Sequence, residues 1–434
     1  MKFNKKKDKD ISLMGRILLF FRNLFERIRA LHPIKRVASR QKELSGYTDK
    51  SSTNEARLAY GFGMAGFYAL CALCLIMCVI LIFGGSIFSY EKVYYMFKDI
   101  EYVNSFNEGR SHILSYSKPL SNQNISVFKD GLAVVSDSEF KFFTSTGRAT
   151  LSIGSEYSNP KITTSRSYAL IYDQGNRSFS VYNSFVSLHS EKLDFPISSA
   201  HMSEEGEFCV VTKSKDYGSL IRVYSSDFDL EYEYAKNDYV VSARMSSDGK
   251  YLAVASLGTE GGSGKVGVTL VNCDKREVAF SLNELGAIPY EISVLSRDRV
   301  ALICDTFARV YDIKGNVLAE YVYPHTLSKI SMDNDGFALV FDGNTSGEGY
   351  IVSAFDKNGR IIRTYNVDSG VFDVKVSNNF MYVLCDREVR RYNLSRLTDE
   401  YDSAEFDEED ASLVVFSNGE IMACTPSVAY YISF

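Results

Sequence analysis

Apolar and polar positions follow three different rhythms along this chain. Between Leu58 and Tyr90 thirty-three consecutive residues lack any Asp, Glu, Lys or Arg. A helix rises about 1.5 Å per residue, and roughly 20 apolar residues cross a bilayer core. The stretch predicts a transmembrane helix over 58–90. Upstream, Ile11 to Leu31 keeps a helical period. Leu13, Met14, Ile17, Phe20, Phe21, Leu24, Phe25, Ile28 and Leu31 share one face. Arg16, Arg22, Asn23, Glu26, Arg27 and Arg29 share the other, with Leu19 as the exception, and Pro33 ends the pattern. A basic amphipathic helix of this kind rests on an anionic membrane surface or docks to a partner helix. The residues expected at the membrane surface are Arg16, Phe20, Phe21, Arg22, Phe25, Arg27 and Arg29.

After a short connector, 91–109, the period drops to two. Apolar–polar alternation in runs of five to eight residues continues from about Arg110 to Phe434, broken by Gly, Asn, Asp and Ser. This is the pattern of half-buried strands joined by turns. The strands repeat as a unit: a turn, an apolar run and a closing polar residue. The copies end at Asp137, Asp173, Thr212, Ser256, Asp305, Asp342, Asp386 and Thr425. A second segment follows each copy and usually ends aromatic then small-polar, as in Tyr182-Asn183, Tyr311-Asp312 and Phe355-Asp356. The eighth is Tyr431-Ile432. Repeats of about 40 residues with several strands each predict a β-propeller. The fold class is all-β, with about eight four-stranded blades and seven as the alternative. Blades are expected to start near residues 125, 161, 197, 240, 289, 327, 371 and 410. The eighth unit lacks a fourth strand, and Arg110–Ser117 is spare. The spare segment is expected to close the ring against the last blade, leaving no open edge there.

Charge orients the chain. Residues 1–58 hold 15 Lys and Arg against 6 Asp and Glu, while the part beyond the span holds 33 against 48. Positive charge in short flanking segments marks the cytoplasmic side. The tail, 1–57, is therefore expected inside and the propeller, 110–434, outside the cell membrane. The apolar stretch begins far from Met1 and is long, so it reads as an uncleaved signal anchor. Basic residues are outnumbered in the outer part, which argues against nucleic acid as a partner.

Candidate chemistry changes this picture little. Of eight Cys, Cys71, Cys74 and Cys78 lie in the span, and Cys209, Cys273, Cys304, Cys385 and Cys424 are scattered through the propeller. An odd, dispersed set is not a disulfide framework. Cys304, Cys385 and Cys424 are assigned to one repeat column with Tyr172, Val211, Ala255 and Phe341, and Cys209 to the same strand face, which reads as core packing. The four sequons at Asn124, Asn176, Asn344 and Asn393 leave a secretory route open. The loop Gly258–Gly267 fails the phosphate-loop pattern, because Thr259 stands where the first Gly belongs and Val follows Lys265. It is expected to be a long inter-strand loop. The acidic run Asp399–Asp410 lacks the spacing of a calcium loop and reads as a solvated edge. The five His form no HxH or HExxH, and no GxSxG occurs. No cofactor, metal or catalytic residue is assigned.

Binding residues usually sit on loops of a rigid scaffold. In a propeller, the second-to-third-strand loops and the blade-to-blade connections share one end. The longest such loops are Lys213–Gly218, Leu257–Gly267 and Gly343–Gly349. The expected partner face carries Asp216, Tyr217, Glu260, Lys265, Asn344 and Glu348.

The unit Ser246-Ser-Asp-Gly-Lys-Tyr-Leu-Ala-Val-Ala-Ser256 resembles the strand–turn–strand core of WD40-like and YVTN-type bacterial propellers. The whole plan is similar to a family of single-pass clostridial-type proteins with a basic tail, one span and a propeller. That resemblance implies a ring of about eight blades and no assigned reaction. The chain has no Trp, so it lacks the Trp docking motifs of quinoprotein dehydrogenases and the Trp-containing boxes of sialidases. The functional expectation is a membrane-anchored, extracytoplasmic, non-enzymatic scaffold. Its partners would be the lipid bilayer, other envelope or membrane proteins, and cell-wall glycan. The alternatives are a glycan lyase or hydrolase with its site in the propeller channel, or a transmembrane sensor.

Overall fold

The computed structural model describes residues 71, 113–115, 124–129, 131–144, 149–343, 349–396, 398–408, 410–416 and 419–434. The chain divides into two compact units, Met1–Asn104 and Ser105–Phe434. In the first unit Cys71 alone is among the described residues, in a helical conformation. The amphipathic helix and the rest of the predicted span lie outside them. Among the described residues no helix is long and apolar enough to cross a membrane.

The second unit is a β-propeller of eight four-stranded sheets. Its innermost strands are Ile125–Phe128, Pro160–Thr164, Ile197–Met202, Tyr239–Met245, Pro289–Leu295, Leu327–Asp333, Val371–Ser377 and Ser412–Val415. These starts match the expected ones within two residues. Seven blades use four consecutive strands. In the eighth, the fourth strand is Ile113–Ser115, which pairs antiparallel with Val428–Ile432 through Ile113↔Tyr430 and Ser115↔Val428. The spare N-terminal segment therefore closes the ring, as its position predicted.

The core lies between blades. Second strands are buried along nearly their whole length, and successive side chains point to opposite neighbours. Phe208 and Val210 of blade 3 pack with Leu170 and Tyr172 of blade 2. Cys209 and Val211 pack with Leu252 and Val254 of blade 4. Ring pairs reinforce single blades: Phe208–Tyr224 and Phe337–Phe355 each stack at 4.6 Å. Such pairs contribute about 0.5–1.5 kcal/mol beyond the area they bury. Fourth strands alternate exposed and half-buried, as in Ser187–Lys192 and Val317–Val322.

The closing polar residues of the repeat have structural work. Those after the aromatic cap the third-to-fourth turn. The Asp312 carboxylate accepts the amides of Lys314 and Asn316, and Asp356 accepts those of Asn358 and Arg360. Gly315 and Gly359 in these turns have φ of 85° and 79°, where a side chain is strained. Residues closing the second strand pin the blade-to-blade connection instead. Asp173 accepts the Asn159 amide, Asp305 that of Ile288, and Asp386 that of Gly370.

The expected cysteine column needs correction. Cys304 packs back against blade 4 with Ala253 and Ala255, and Cys385 back against blade 6 with Ala338 and Val340. Phe341 likewise faces the preceding blade, with Ala301 and Ile303. Cys424 faces forward onto blade 1 with Leu132 and Val134, as Tyr172 and Val211 face forward in theirs. The acid that closes blades 5 to 7 sits one residue later than the closing residue of blade 8, and a one-residue slip moves a side chain to the other face. The same slip puts Ile432, not Tyr431, opposite Ile421 at the end of the last third strand. All five propeller thiols are buried, so the packing role stands.

Candidate binding surfaces

Two parts of the propeller expose chemistry beyond the solvated edges: the channel and one end of the ring. The channel is walled by the eight innermost strands, each of which has one ladder edge without a neighbouring strand. Buried amides on such an edge need acceptors. Side chains of the preceding blade supply them. Thr163 Oγ1 accepts the Met202 amide at 3.3 Å, His201 Nδ1 that of Met245 at 3.1 Å, and Ser331 Oγ that of Val376 at 3.1 Å. Asp373 accepts the Leu413 amide at 2.8 Å.

The ladder register aligns these side chains into a row around the channel. Ser126, Thr163, His201, Arg244, Ser293, Ser331, Lys375 and Val414 occupy equivalent positions in blades 1 to 8. Seven of the eight are polar. Two residues back along each strand, Lys161, Ser199, Ser242, Glu291, Lys329, Asp373 and Ser412 form a second polar row. A cavity of about 410 Å³ opens beside the first row, lined by residues of blades 2 to 7. Arg244 pairs with Glu291 at 2.9 Å, and Lys375 lies 3.7 Å from Asp373. Burial, reinforced by the Arg244 charge, holds the His201 imidazole well below its usual pKa. Because Nδ1 accepts a bond, the neutral ring carries its proton on Nε2. Burial raises the Asp333 carboxyl, with the nearby charges of Asp335 and Glu204 adding to it and the Asn334 amide opposing.

At the turn end the cavity is bridged. Glu204 follows the inner strand of blade 3, and its Oε1 accepts the Asn334 side-chain amide of blade 6 at 2.6 Å. Arg166 of blade 2 holds the other carboxylate oxygen at 2.6 Å. Glu291 and Glu204 are thus both engaged. Among the described lining residues no pair of free carboxylates faces across the channel, and no group of His, Cys, Asp and Glu among the described residues is placed to hold a metal.

The other end carries the expected partner loops. Asp216 and Tyr217 lie in the loop between the second and third strands of blade 3, and both are exposed. The Gly258–Gly267 segment is not a loop. It continues the ladder of blade 4, where Tyr251–Glu260 pairs with Ser263–Asn272 out to Glu260↔Ser263. Only Gly261 and Gly262 turn, with φ of 60° and 85°. Two consecutive positive φ values make the tight turn that matches strand twist, and the glycines allow it. Glu260 stands exposed at this tip, whereas Lys265 is held by Asp238 at 3.4 Å. Asn344 and Glu348 lie outside the described residues. Sequence reasoning named Tyr217 but missed the rest of the apolar part of this end. Tyr217, Tyr239, Leu285, Ile288, Tyr290 and Phe372 are exposed there, each in a loop or at a strand end. The signal was available in the apolar residues at blade junctions, such as Gly286-Ala-Ile-Pro-Tyr290.

Residues 105–425, almost the whole propeller, match a family described as a family of unknown function. The chain belongs to the DUF5711 family. No curated protein matches this DUF5711 chain. Its fold is similar to that of BamB from Moraxella catarrhalis, at 13% identity and a TM-score of 0.50, covering 74% of this chain and 100% of that one. The Cps50 (Swd1) β-propeller domain of Myceliophteria thermophila aligns at 12% identity and a TM-score of 0.46, over 63% of this chain and 96% of that one. Kuenenia stuttgartiensis hydrazine synthase aligns at 14% and 0.46, over 64% and 97%. At such identities the likeness to BamB is one of fold, and the DUF5711 propeller's own surfaces carry the argument about its role.

Proposed function

We propose that this protein is a membrane-tethered extracytoplasmic scaffold that holds an envelope protein on the end of the propeller bearing the blade 4 hairpin. One observation carries the reading. Six large apolar side chains, four of them aromatic, are exposed in the loops and at the strand ends of that end, five of them in blades 3 to 5 and Phe372 in blade 7. The remaining exposed ones are spread along outer strands, or lie at the opposite end as Val186 and Phe434 do. Phe434 is itself covered by Arg391 at 4.4 Å. Aromatic residues are enriched in protein interfaces, and exposed apolar side chains concentrated on one end of a scaffold point to an interaction surface there. Asp216 and Glu260 supply a polar rim.

The uncharged stretch 58–90 and the basic tail support the tether and its orientation. The basic face of Arg16, Arg22, Arg27 and Arg29 supports contact with the inner leaflet. A non-enzymatic role is supported by the pairing of Glu291 with Arg244 and of Glu204 with Arg166, which leaves Asp333 without a second free carboxylate opposite it among the described lining residues. A hydrolase of the two-carboxylate type needs one acid and one free base flanking the substrate. Exposed tyrosines also stack on sugar rings, so cell-wall glycan is the second candidate partner.

The test is site-specific photocrosslinking in intact cells from Tyr217 and Tyr290, with Leu188 on an outer strand as control. A protein adduct formed from the two end positions and not from Leu188 is expected. An adduct to glycan alone replaces the protein partner with the glycan. No adduct from either end position overturns the reading. Protease digestion of intact cells tests the orientation: loss of the propeller is expected, and its full protection places it inside.

A further inference from the structure

The channel cavity contains more unspent hydrogen-bond donors than the stitching of the inner strands uses. Five consecutive blades, 3 to 7, each place a donor in the same row: His201, Arg244, Ser293, Ser331 and Lys375. All five line the cavity. His201 offers Nε2–H, because Nδ1 is occupied by the Met245 amide. Ser331 accepts from the Val376 amide, which leaves its O–H to donate. Arg244 spends one nitrogen on Glu291. Donors converging from one arc select an anionic group, and a carboxylate fits a mixed Arg, Lys and hydroxyl arc. The turn end of the same cavity has the opposite character. Glu204 and Asp333 line it, with Asp335 close by in the same turn. That end repels a second negative charge and attracts a cation.

Size and lining narrow the class further. A volume of about 410 Å³ falls within the usual range of small-molecule sites, about 300–1,000 Å³. Among the described lining residues there is no Phe or Tyr, and the one ring, that of His201, is tied to the Met245 amide, so a sugar has no broad face to stack on. The lining sets Arg244 and Lys375 against Glu204, Glu291 and Asp333, two cations against three carboxyls, so the net charge suits neither a polyphosphate nor a dianion. We infer that the channel binds a small zwitterion of amino-acid to dipeptide size, its carboxylate on the His201–Lys375 arc and its ammonium towards Glu204 and Asp333. This site is distinct from the protein-binding end proposed above, and either can hold without the other.

The test is thermal unfolding and calorimetric titration of the full-length protein in detergent. The probes are alanyl-alanine, succinate and maltose. Alanyl-alanine at ~10 mM is expected to raise the unfolding midpoint by about 2 °C. Succinate and maltose are expected to leave it unchanged. Lys375→Met is expected to weaken dipeptide binding about tenfold through loss of a charge-assisted hydrogen bond. Ser293→Ala, whose hydroxyl takes no part in the inner-strand stitching, tests the arc with less risk to folding. It is expected to weaken binding severalfold without moving the ligand-free midpoint. The inference is overturned if alanyl-alanine produces neither heat nor a shift. It is equally overturned if both variants bind as the unaltered protein does, or if succinate or maltose binds as well as the dipeptide.

Discussion

The side chains of Glu204 and Asn334, 130 residues apart in sequence, meet at 2.6 Å and join blade 3 to blade 6 across the mouth of the channel. The backbone ties neighbouring turns as well: Glu204 donates to Ser247 O at 3.1 Å, and Ser296 to Asn334 O at 2.7 Å. An exposed side-chain bond contributes only about 0.5–1.5 kcal/mol. Asn334→Ala should therefore leave the unfolding midpoint nearly unchanged while loosening the mouth. Hydrogen exchange read by mass spectrometry should quicken at Ser203–Gly206 and Asp333–Gly336. Unaltered exchange in both turns would mean that the bridge is not kept in solution.

His201 should make stability depend on pH. Its folded pKa is depressed by burial and by Arg244, so the unfolded chain binds the proton first as pH falls through about 6.5. Stability is fully present above that value and declines below it, by at most about 1.4 kcal/mol per pH unit. Asp333, raised by burial, acts in the opposite sense from about pH 4 upward. Urea unfolding at pH 5 to 8 should show the decline, and His201→Asn, which keeps an acceptor near Nδ1, should flatten it. Equal slopes for both proteins would remove His201 as the cause.

The propeller thiols should be inert in the native state. Burial pushes Cys209 and Cys304 up to about 12 and Cys273 to about 11. At pH 8 a thiol near 12 is ionised in only about one molecule in ten thousand, and the thiolate is the nucleophile. Iodoacetamide should leave these three unlabelled until denaturant is added. Rapid native labelling of Cys209 would contradict its place between blades 3 and 4.

Closure by Ile113–Ser115 predicts a specific failure. Deleting those three residues from the full chain exposes Val428–Ile432 as an unpaired edge. The unfolding midpoint should drop by several degrees, and light scattering should show self-association. A monomer of unchanged stability would show that the pairing contributes little.

Much of the fold was legible because its signals are local. The turn residue, the apolar run, the aromatic and its capping Asp or Asn all lie within one repeat, so eight inner strands and the closing segment could be placed. The register within second strands was less so. Asp305, Asp342 and Asp386 look equivalent to Thr425 in sequence, yet they stand one position later relative to the paired third strand. Cys304 and Cys424 consequently face opposite neighbours. Gly258–Gly267 looked like a loop because five glycines hide a ladder that runs to Glu260↔Ser263. The channel was not legible at all. His201, Arg244, Ser293 and Lys375 sit in separate repeats with no shared motif, and only the closed ring makes them neighbours.

The closing strand also decides how the domain meets force. Ile113 is the point at which the preceding chain enters the propeller, and its pairing spans three residues with the last third strand. Tension arriving through residues before Ile113 loads this short ladder before any complete blade. The seam that completes the ring is thus its mechanical fuse. A pull strong enough to peel three residues strips blade 8 of its outermost strand and releases the link between the two ends of the ring, while the other seven blades keep all four of their strands.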